Sequence, residues 1–409
     1  MSTNTESGTE TRVRSGLIAA AFLRKLLGCI ETGHLTVHTP DGLTVDHRSG
    51  QSGPQAVLVL HRWRALRRLL VGGHVAFAEA YIDGDWSSPD LPALLELAAL
   101  NVAGIQHRIS GLPPMRLFNR LHHILRANSR RGSRRNIAYH YDMGNDFYRL
   151  WLDGSMTYSS ALFLRPDETL EQAQDNKLDR ILDLLSPRQR DKVLEIGCGW
   201  GALATRLAKN GADVKGITLS SEQLAHARQV AASGKVDDRI HIELEDYRDC
   251  TGSYDRIVSI EMLEAVGQEY WAVYFDRLRQ LLKAEGRAVL QVITIDEKRF
   301  EAYGRGADFI QRYIFPGGML PTKSLIEDHA RQASLRLVSS ESFGRSYART
   351  LAEWRQRFQH NWPAIKALGF DERFRRLWNY YLSYCEAGFT AGTIDVGLYV
   401  LEPKVDFSK

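Results

Sequence analysis

Val193-Leu194-Glu195-Ile196-Gly197-Cys198-Gly199-Trp200-Gly201 decides the fold. Val193, Leu194 and Ile196 make a buried strand, and the three glycines that follow at every second position make a turn. Glycine at such a turn adopts angles other residues avoid and lets the backbone approach a ligand closely. Ala202 to Lys209 carries alanine and leucine at helical spacing. The turn therefore feeds a helix start whose free N–H groups suit an anionic ligand atom. Spacing separates the ligands. A dinucleotide fold wants G-x-G-x-x-G. This chain has G-x-G-x-G and lacks the lysine and Ser/Thr of a P-loop. The competing reading is a tight strand-to-helix turn that holds no ligand.

Beyond this turn the chain alternates. Val214–Leu219 reads as a second strand, Glu222–Val230 as a helix, and Ile240–Leu244 and Tyr254–Ile260 as strands three and four. A helix over Tyr270–Leu282 and a fifth strand over Arg287–Ile295 follow. This alternation predicts an α/β fold with a parallel, doubly wound, Rossmann-like sheet, which binds ligands at the carboxyl ends of its strands. Phe300–Pro321 is aromatic and glycine-rich and interrupts the alternation, as a lid or cap would. Residues 350–390 read as an aromatic helical cap region, and Ile394–Leu401 as a closing strand. An aromatic stripe at helical spacing is more often core than cofactor site. Residues 136–409 make the catalytic domain.

Upstream, residues 14–110 predict a smaller mixed α/β domain of lipid-binding character. His34–His38 and Leu43–Val45 flank Thr39-Pro40-Asp41-Gly42, a hairpin signal. Val57–Leu60 is a further strand. His61–Leu70 mixes arginines with apolar residues, Ala76–Tyr81 is apolar, and Leu91–Leu100 is a helix. Residues 1–13 are polar and read as a disordered tail. Residues 111–135 read as a helical, arginine-rich connector. Leu117, Leu121, Ile124 and Leu125 share an apolar face, and Arg126, Arg130, Arg131, Arg134 and Arg135 crowd behind it. A solvated linker is the plain reading of these arginines. Attraction to anionic phospholipid headgroups is the sharper one, at about 1 kcal/mol per basic residue near such a surface. No nucleic-acid module surrounds the cluster, so nucleic acid is not an expected partner.

A chain of 409 residues is long for one core, and two domains are the expectation. Its 44% hydrophobic and 25% charged residues are ordinary for a globular protein. Cys29, Cys198, Cys250 and Cys385 are scattered with no CxxC pair, so neither a metal site nor a disulfide framework is expected. A reducing cytoplasm fits. Residues 16–30 are too short and too interrupted to span a membrane, and the start lacks signal-peptide features. Membrane contact is therefore expected to be peripheral, at the inner surface.

The glycine turn resembles motif I of S-adenosylmethionine-dependent methyltransferases. A wider set of segments resembles the cyclopropane-fatty-acyl-phospholipid synthase family. These are Tyr139-His140-Tyr141-Asp142-Met143-Gly144-Asn145-Asp146-Phe147-Tyr148, Met156-Thr157-Tyr158-Ser159-Ser160-Ala161, the glycine turn, and Gly216-Ile217-Thr218-Leu219-Ser220 with Gln223. Ser259-Ile260-Glu261-Met262-Leu263-Glu264-Ala265-Val266-Gly267, Ile314-Phe315-Pro316-Gly317-Gly318 and Ser346-Tyr347-Ala348-Arg349-Thr350-Leu351 complete the set. Residues 136–401 are covered well, and the amino-terminal domain only in its placement.

The resemblance implies methyl transfer from S-adenosylmethionine to a cis double bond of a phospholipid acyl chain, giving a cyclopropane. The enzyme must align a poor nucleophile with the methyl and steady a carbocation with carboxylates and aromatic faces. By motif match, Tyr158, Ser159, Gly197, Cys198, Gly199, Trp200, Gly201, Thr218, Leu219, Gln223 and Ile260 would surround S-adenosylmethionine. Asp246 and Tyr247 would flank its adenine. Glu264 and Tyr347 match the family's active-site glutamate and tyrosine, which help hold a bicarbonate ion that serves as base. The competing readings are a structural carboxylate and a packed ring.

Two departures stand out. Ser160 stands where the family usually has cysteine, and Gln291 where it usually has histidine. Both can donate hydrogen bonds to an oxyanion, but neither carries positive charge, so a bicarbonate would be held less strongly. Glu261 stands where the family often has glycine, and Ala265 where it has histidine. Methylation is then the firmer expectation. A methyl-branched or methylene chain is the alternative to the ring, and a catalytically inactive lipid-binding relative is the alternative of another class. A membrane surface with unsaturated acyl chains is the expected partner, and a homodimer stays open.

Overall fold

A computed structural model describes residues 23–102, apart from Leu26, and residues 143–404. The expected tail over 1–13, the connector over 111–135 and the first four residues of the Tyr139–Tyr148 segment lie outside the described residues. By its contacts the chain forms two compact units, residues 1–118 with 370–391, and residues 119–369 with 392–409.

The first unit begins with β1 (Thr32–His38), β2 (Thr44–Arg48) and β3 (Gln51–Leu60). β1 pairs antiparallel with β2 across the expected Thr-Pro-Asp-Gly turn and parallel with β3. One helix, α1 (Arg64–Ile82), joins two stretches that read as separate in the sequence, with Gly73 breaking the helical angles (φ 65°, ψ −157°). β4 (Trp86–Ser87) and α2 (Leu91–Leu100) follow. Asp85, between α1 and β4, is fully buried. Its carboxylate accepts two hydrogen bonds from Arg64, at 2.8 and 2.7 Å, which offset the burial of its charge.

The second unit carries α3 (Asn145–Arg149), α4 (Leu170–Leu185), β5 (Lys192–Ile196), α5 (Ala202–Lys209), β6 (Asp213–Thr218), α6 (Ser221–Ser233), β7 (Ile240–Leu244) and β8 (Tyr254–Ile260). Next come α7 (Leu263–Val266), α8 (Trp271–Leu281), β9 (Leu282–Ile295), α9 (Glu297–Tyr303), α10 (Phe309–Tyr313), α11 (Lys323–Gln332), β10 (Leu335–Ser342), α12 (Gly344–His360) and α13 (Trp362–Ala367). After α14 (Glu372–Thr390), β11 (Ile394–Pro403) closes the sheet. The strand order is β10-β11-β9-β8-β5-β6-β7. β5 to β9 are parallel, as the alternation predicts, while β11 runs the other way and pairs antiparallel with both β9 and β10. β10 escaped the sequence reading because it is an edge strand whose residues, Leu-Arg-Leu-Val-Ser-Ser-Glu-Ser, are mostly exposed and lack alternation.

Both faces of the sheet are covered. Successive side chains of a strand point to opposite faces, so Ile257 and Leu290 join Trp271, Phe275 and Leu278 on one side, while Val258 and Val289 join Ile181, Leu203 and Leu207 on the other. The single carboxyl-terminal domain expected over 136–409 is interrupted. α14 belongs to the first unit, where Tyr380 packs on Tyr81 and Trp86 at ring distances of 5.5 and 6.4 Å. Its aromatic stripe is core, but core of the other unit.

α4 starts on a capping box. Thr169 accepts from the Gln172 N–H, and the Gln172 side chain accepts from the Thr169 N–H. Its buried face runs through Leu170, Ala173, Leu178, Ile181 and Leu185, and also buries Gln174 and Lys177. Thr169→Ala should lower unfolding stability by about 1 kcal/mol, read as a lower denaturation midpoint with an unchanged slope.

Candidate active site

β5 delivers the glycine turn at its carboxyl end. The Gly197 and Cys198 N–H groups both donate to the Ile217 carbonyl, at 2.9 and 3.0 Å, and Gly201 N–H donates to the Cys198 carbonyl at 2.9 Å. Gly197, Gly199 and Gly201 all have positive φ, at 80°, 52° and 89°. Their reasons differ. A Cβ on Gly201 would lie 2.9 Å from Ala227 Cβ, so this glycine lets α5 pack on α6. A Cβ on Gly199 would meet nothing within 4 Å, so this glycine leaves open space that suits a ligand. The cradle fits S-adenosylmethionine on that ground.

The side chains of the turn are packed away. Cys198 is buried in the core with Leu203, and burial pushes its thiol well above the usual range. Trp200 donates to Asn145 Oδ1 at 2.7 Å and packs on Tyr148. Both therefore present only backbone to a ligand. At the end of β6, Thr218 donates to Gln223 Oε1 at 2.8 Å and accepts from the Ser220 N–H, with Leu219 half-buried beside it. Asp246 is held by its own loop: Arg248 donates to both carboxylate oxygens, at 2.8 and 2.6 Å. Tyr247 packs edge-on against Tyr274. Tyr158 stands among Tyr148, Trp151 and Trp354, with ring distances of 5.3–5.5 Å.

β8 is the hydrogen-bonded neighbour of β5, with Ile196 opposite Ser259. Ile260 therefore ends its strand beside the glycine turn. Directly after it, Glu261 turns its carboxylate into a ring of donors. Oε1 accepts from the Ser160 N–H at 2.8 Å and from Gln291 Nε2 at 2.7 Å, and Oε2 accepts from the Tyr347 hydroxyl at 2.7 Å. Glu261 has φ 49°, a left-handed backbone rare for any residue with a Cβ. Three hydrogen bonds to a charge offset that strain. Glu264, three residues on, accepts from the Ile293 N–H through Oε1, while its buried Oε2 has no hydrogen-bond partner among the described residues. Burial first, and then the Glu261 charge, push its carboxyl up to about 8. Glu261 is raised by burial too, but Tyr347, the Ser160 N–H, Gln291 and Lys177 pull it back. Of the pair, Glu261 has the donors and the ammonium that favour charge, and Glu264 has the environment that favours a proton.

This arrangement corrects two expectations. The Ser160 hydroxyl donates to the Ala161 carbonyl, and only its backbone N–H serves the site. Of the groups expected to hold a bicarbonate ion, Tyr347, Gln291 and the Ser160 N–H donate to Glu261, and Glu264 accepts from the Ile293 N–H. With these donors turned onto the Glu261 carboxylate, the residues present do not fit an exchangeable bicarbonate.

The loop bearing Tyr158, Ser159 and Ser160 is gripped from two helices. From α4, Gln174 Nε2 donates to the Ser159 carbonyl at 3.0 Å, and Lys177 Nζ donates to Ser159 Oγ at 2.9 Å. From α12, Thr350 Oγ1 accepts from the Ala161 N–H at 3.1 Å. Sequence reasoning noted Glu261 only as a departure and missed Gln174 and Lys177. The available signal was two polar residues inside an apolar helical stripe, a weak mark without the fold.

A family model described as mycolic acid cyclopropane synthetase matches residues 128–398. The chain is 42% identical over 364 residues to the tuberculostearic acid methyltransferase UfaA1 of Mycobacterium tuberculosis, covering 86% of this chain and 85% of that one. It is 34% identical to the cyclopropane-fatty-acyl-phospholipid synthase of Escherichia coli, covering 83% and 86%. A probable fatty acid methyltransferase of Pseudomonas putida is 38% identical over 275 residues, covering 66% and 70%. Among solved structures, the mycolic acid cyclopropane synthase CmaA1 complexed with SAH and CTAB superposes with a TM-score of 0.62 at 34% identity, covering 66% of this chain and 97% of that one.

The two glycines should separate on substitution. Gly199→Ala should weaken S-adenosylhomocysteine binding by calorimetry at least tenfold while leaving the melting temperature within a few degrees. Gly201→Ala should lower the melting temperature instead, because its Cβ meets Ala227. The reverse pattern would place the ligand elsewhere.

Proposed function

Because the chain belongs to the mycolic acid cyclopropane synthetase family, we propose that it methylates the double bond of unsaturated phospholipid acyl chains and releases a methyl-branched alkene or methylene product rather than a ring. It is an S-adenosylmethionine-dependent methyltransferase acting on lipids. Among the described residues no helix is long and apolar enough to cross a membrane. The acyl chain would be met at the membrane surface, with Arg126 to Arg135 drawn to anionic headgroups.

S-adenosylmethionine supplies a methyl on a positively charged sulfur. The alkene π pair forms the new carbon–carbon bond, the C–S pair stays on sulfur, and the other alkene carbon is left cationic. Glu261, as a carboxylate, steadies that cation, and the aromatic box around Tyr158 supports it with ring faces. A hydride shift from the methylated carbon then gives a tertiary cation. Proton loss to the Glu261 carboxylate from the new methyl yields a methylene chain, and loss from a neighbouring chain carbon yields a methyl-branched alkene. Tyr347 and Gln291 hold the base, and protonated Glu264 keeps the pair at one negative charge.

The observation that carries this reading is the Glu261 carboxylate inside its three donors. A free anion can settle against whichever C–H the chain presents. A carboxylate tied to one strand end takes only the proton at its fixed place, and it lengthens the life of the cation by stabilising it. Two of the matched relatives are also named for methylation and not for ring closure.

Incubation with S-adenosylmethionine and unsaturated phospholipid vesicles should release S-adenosylhomocysteine and add one CH2 to the acyl chains. The product should take up hydrogen under conditions that leave a cyclopropane intact. Glu261→Gln should lower turnover about 10²–10³-fold, the scale for losing one preorganised electrostatic group. A hydrogenation-resistant ring product would overturn the product assignment, and absent S-adenosylhomocysteine release would overturn the activity.

A further inference from the structure

Lys177 is a lysine where an amphipathic helix should place an apolar residue. It lies on the buried face of α4 with 1% of its surface exposed. Putting an ammonium there is costly unless charge and hydrogen bonds compensate it. The only hydrogen bond to its Nζ runs to Ser159 Oγ, a neutral group, among the described residues. Its compensation comes through space, from Glu261 first, then Asp153 and Glu195. The other two are committed elsewhere. Asp153 caps its own turn by accepting from the Ser155 and Thr157 N–H groups, at 2.8 and 3.1 Å. Glu195 is pushed up to about 8 by burial, so it is mostly protonated at neutrality. Burial lowers Lys177 to about 8, which leaves it mostly charged there. Lys177, the one buried cation among the described residues, and the Glu261 carboxyl are thus partners, joined by a two-residue link: Lys177 holds Ser159, and the next N–H, of Ser160, holds Glu261.

We propose that Lys177 is a positioning residue for the methyl transfer, keeping Glu261 ionised by its charge and fixing the Ser160 N–H on that carboxylate through Ser159. The proposal rests on Glu261 being the base. Glu261 is faced by the Ser160 N–H from the loop before α4, Lys177 from α4, Gln291 from β9, Tyr347 from α12 and Glu264 from α7. Of these, only Lys177 brings positive charge. Tyr347 and Gln291 donate neutral hydrogen bonds, and Glu264 opposes ionisation. Removing the cation therefore makes Glu261 harder to deprotonate. The base is active when ionised, so its pH–rate curve rises as pH passes its titration, and that rise moves to higher pH.

Lys177→Met keeps the length of the stem and removes the charge. Its single-turnover methylation should lose activity at neutral pH and recover part of it at higher pH, with the acid limb displaced upward by about one unit or more. S-adenosylhomocysteine affinity should stay within a few-fold of wild type. A uniform loss at every pH, with the acid limb in place, would mean that Lys177 only packs, and would overturn the proposal. Folding is tested by a cycle with Glu261→Gln, read by denaturation without substrate. Lys177→Met alone strands a buried negative charge, so adding Glu261→Gln should recover stability, or restore a fold that the single change lost. Additive losses, or a double variant as unfolded as the single, would overturn the charge coupling. This stability cycle needs no turnover, so it stands or falls separately from the assignment of the reaction.

Discussion

The second unit gathers its donors around one half-buried carboxyl group, that of Glu261. A buried carboxylate is strongly penalised unless its lone pairs are filled and a counter-charge is near. Glu261 meets that demand with donors from three separate parts of the chain: the Ser160 N–H, the Gln291 amide and the Tyr347 hydroxyl. Each donor is itself buried, so none competes with water, and the low local dielectric strengthens every bond. The same condition makes the arrangement exacting. Loss of any one donor leaves a charge half satisfied, and the positive φ of Glu261 persists because its surroundings over-determine it.

The sheet is the device that brings these parts together. β5 and β8 are hydrogen-bonded neighbours, so the glycine turn after Ile196 and the carboxylates after Ile260 emerge side by side. Gln291 reaches the same place because β9 lies next to β8, with Gln291 opposite Ile260. β11 then lies antiparallel on the far side of β9, with Leu398 opposite Gln291. The main chain of Gln291 is held in this ladder, and its side-chain amide reaches Glu261. Outside the sheet, α4 and α12 clamp the loop bearing Ser159 and Ser160, so its N–H is aimed by packing instead of by its own stiffness.

Glu261 and Glu264 illustrate how one short segment divides two roles by environment. Both are half-buried carboxyls, three residues apart. Three donors and a nearby ammonium favour charge on Glu261, while Glu264 has one backbone donor and the Glu261 charge against it. Groups whose surroundings push their titrations apart are the usual mark of acid–base assignment. Here the separation follows from which strand end and which loop each carboxyl faces, and their identical chemistry contributes nothing to it.

The glycine turn and the parallel strands β5 to β9 were legible in the sequence, because they rest on local rules. Glycine spacing, two-residue alternation and strand–helix succession act over a few residues, and no distant partner alters them. The segments from Tyr158 to Ser160 and from Ser259 to Gly267 pointed to the lipid methyltransferases in the same way. What the sequence left undecided was everything that depends on who meets whom. Glu261 looked like a stray acid at a glycine position until three remote donors closed on it. Ser160 and Gln291 looked like weakened anion ligands until both were found holding that acid. Lys177 was only a polar interruption in an apolar stripe, and the aromatic helix over Glu372–Thr390 read as part of the wrong unit. The physical reason is common to all four. A buried charge or ring is stable only in company, and its companions are set by tertiary contacts between residues far apart in the chain.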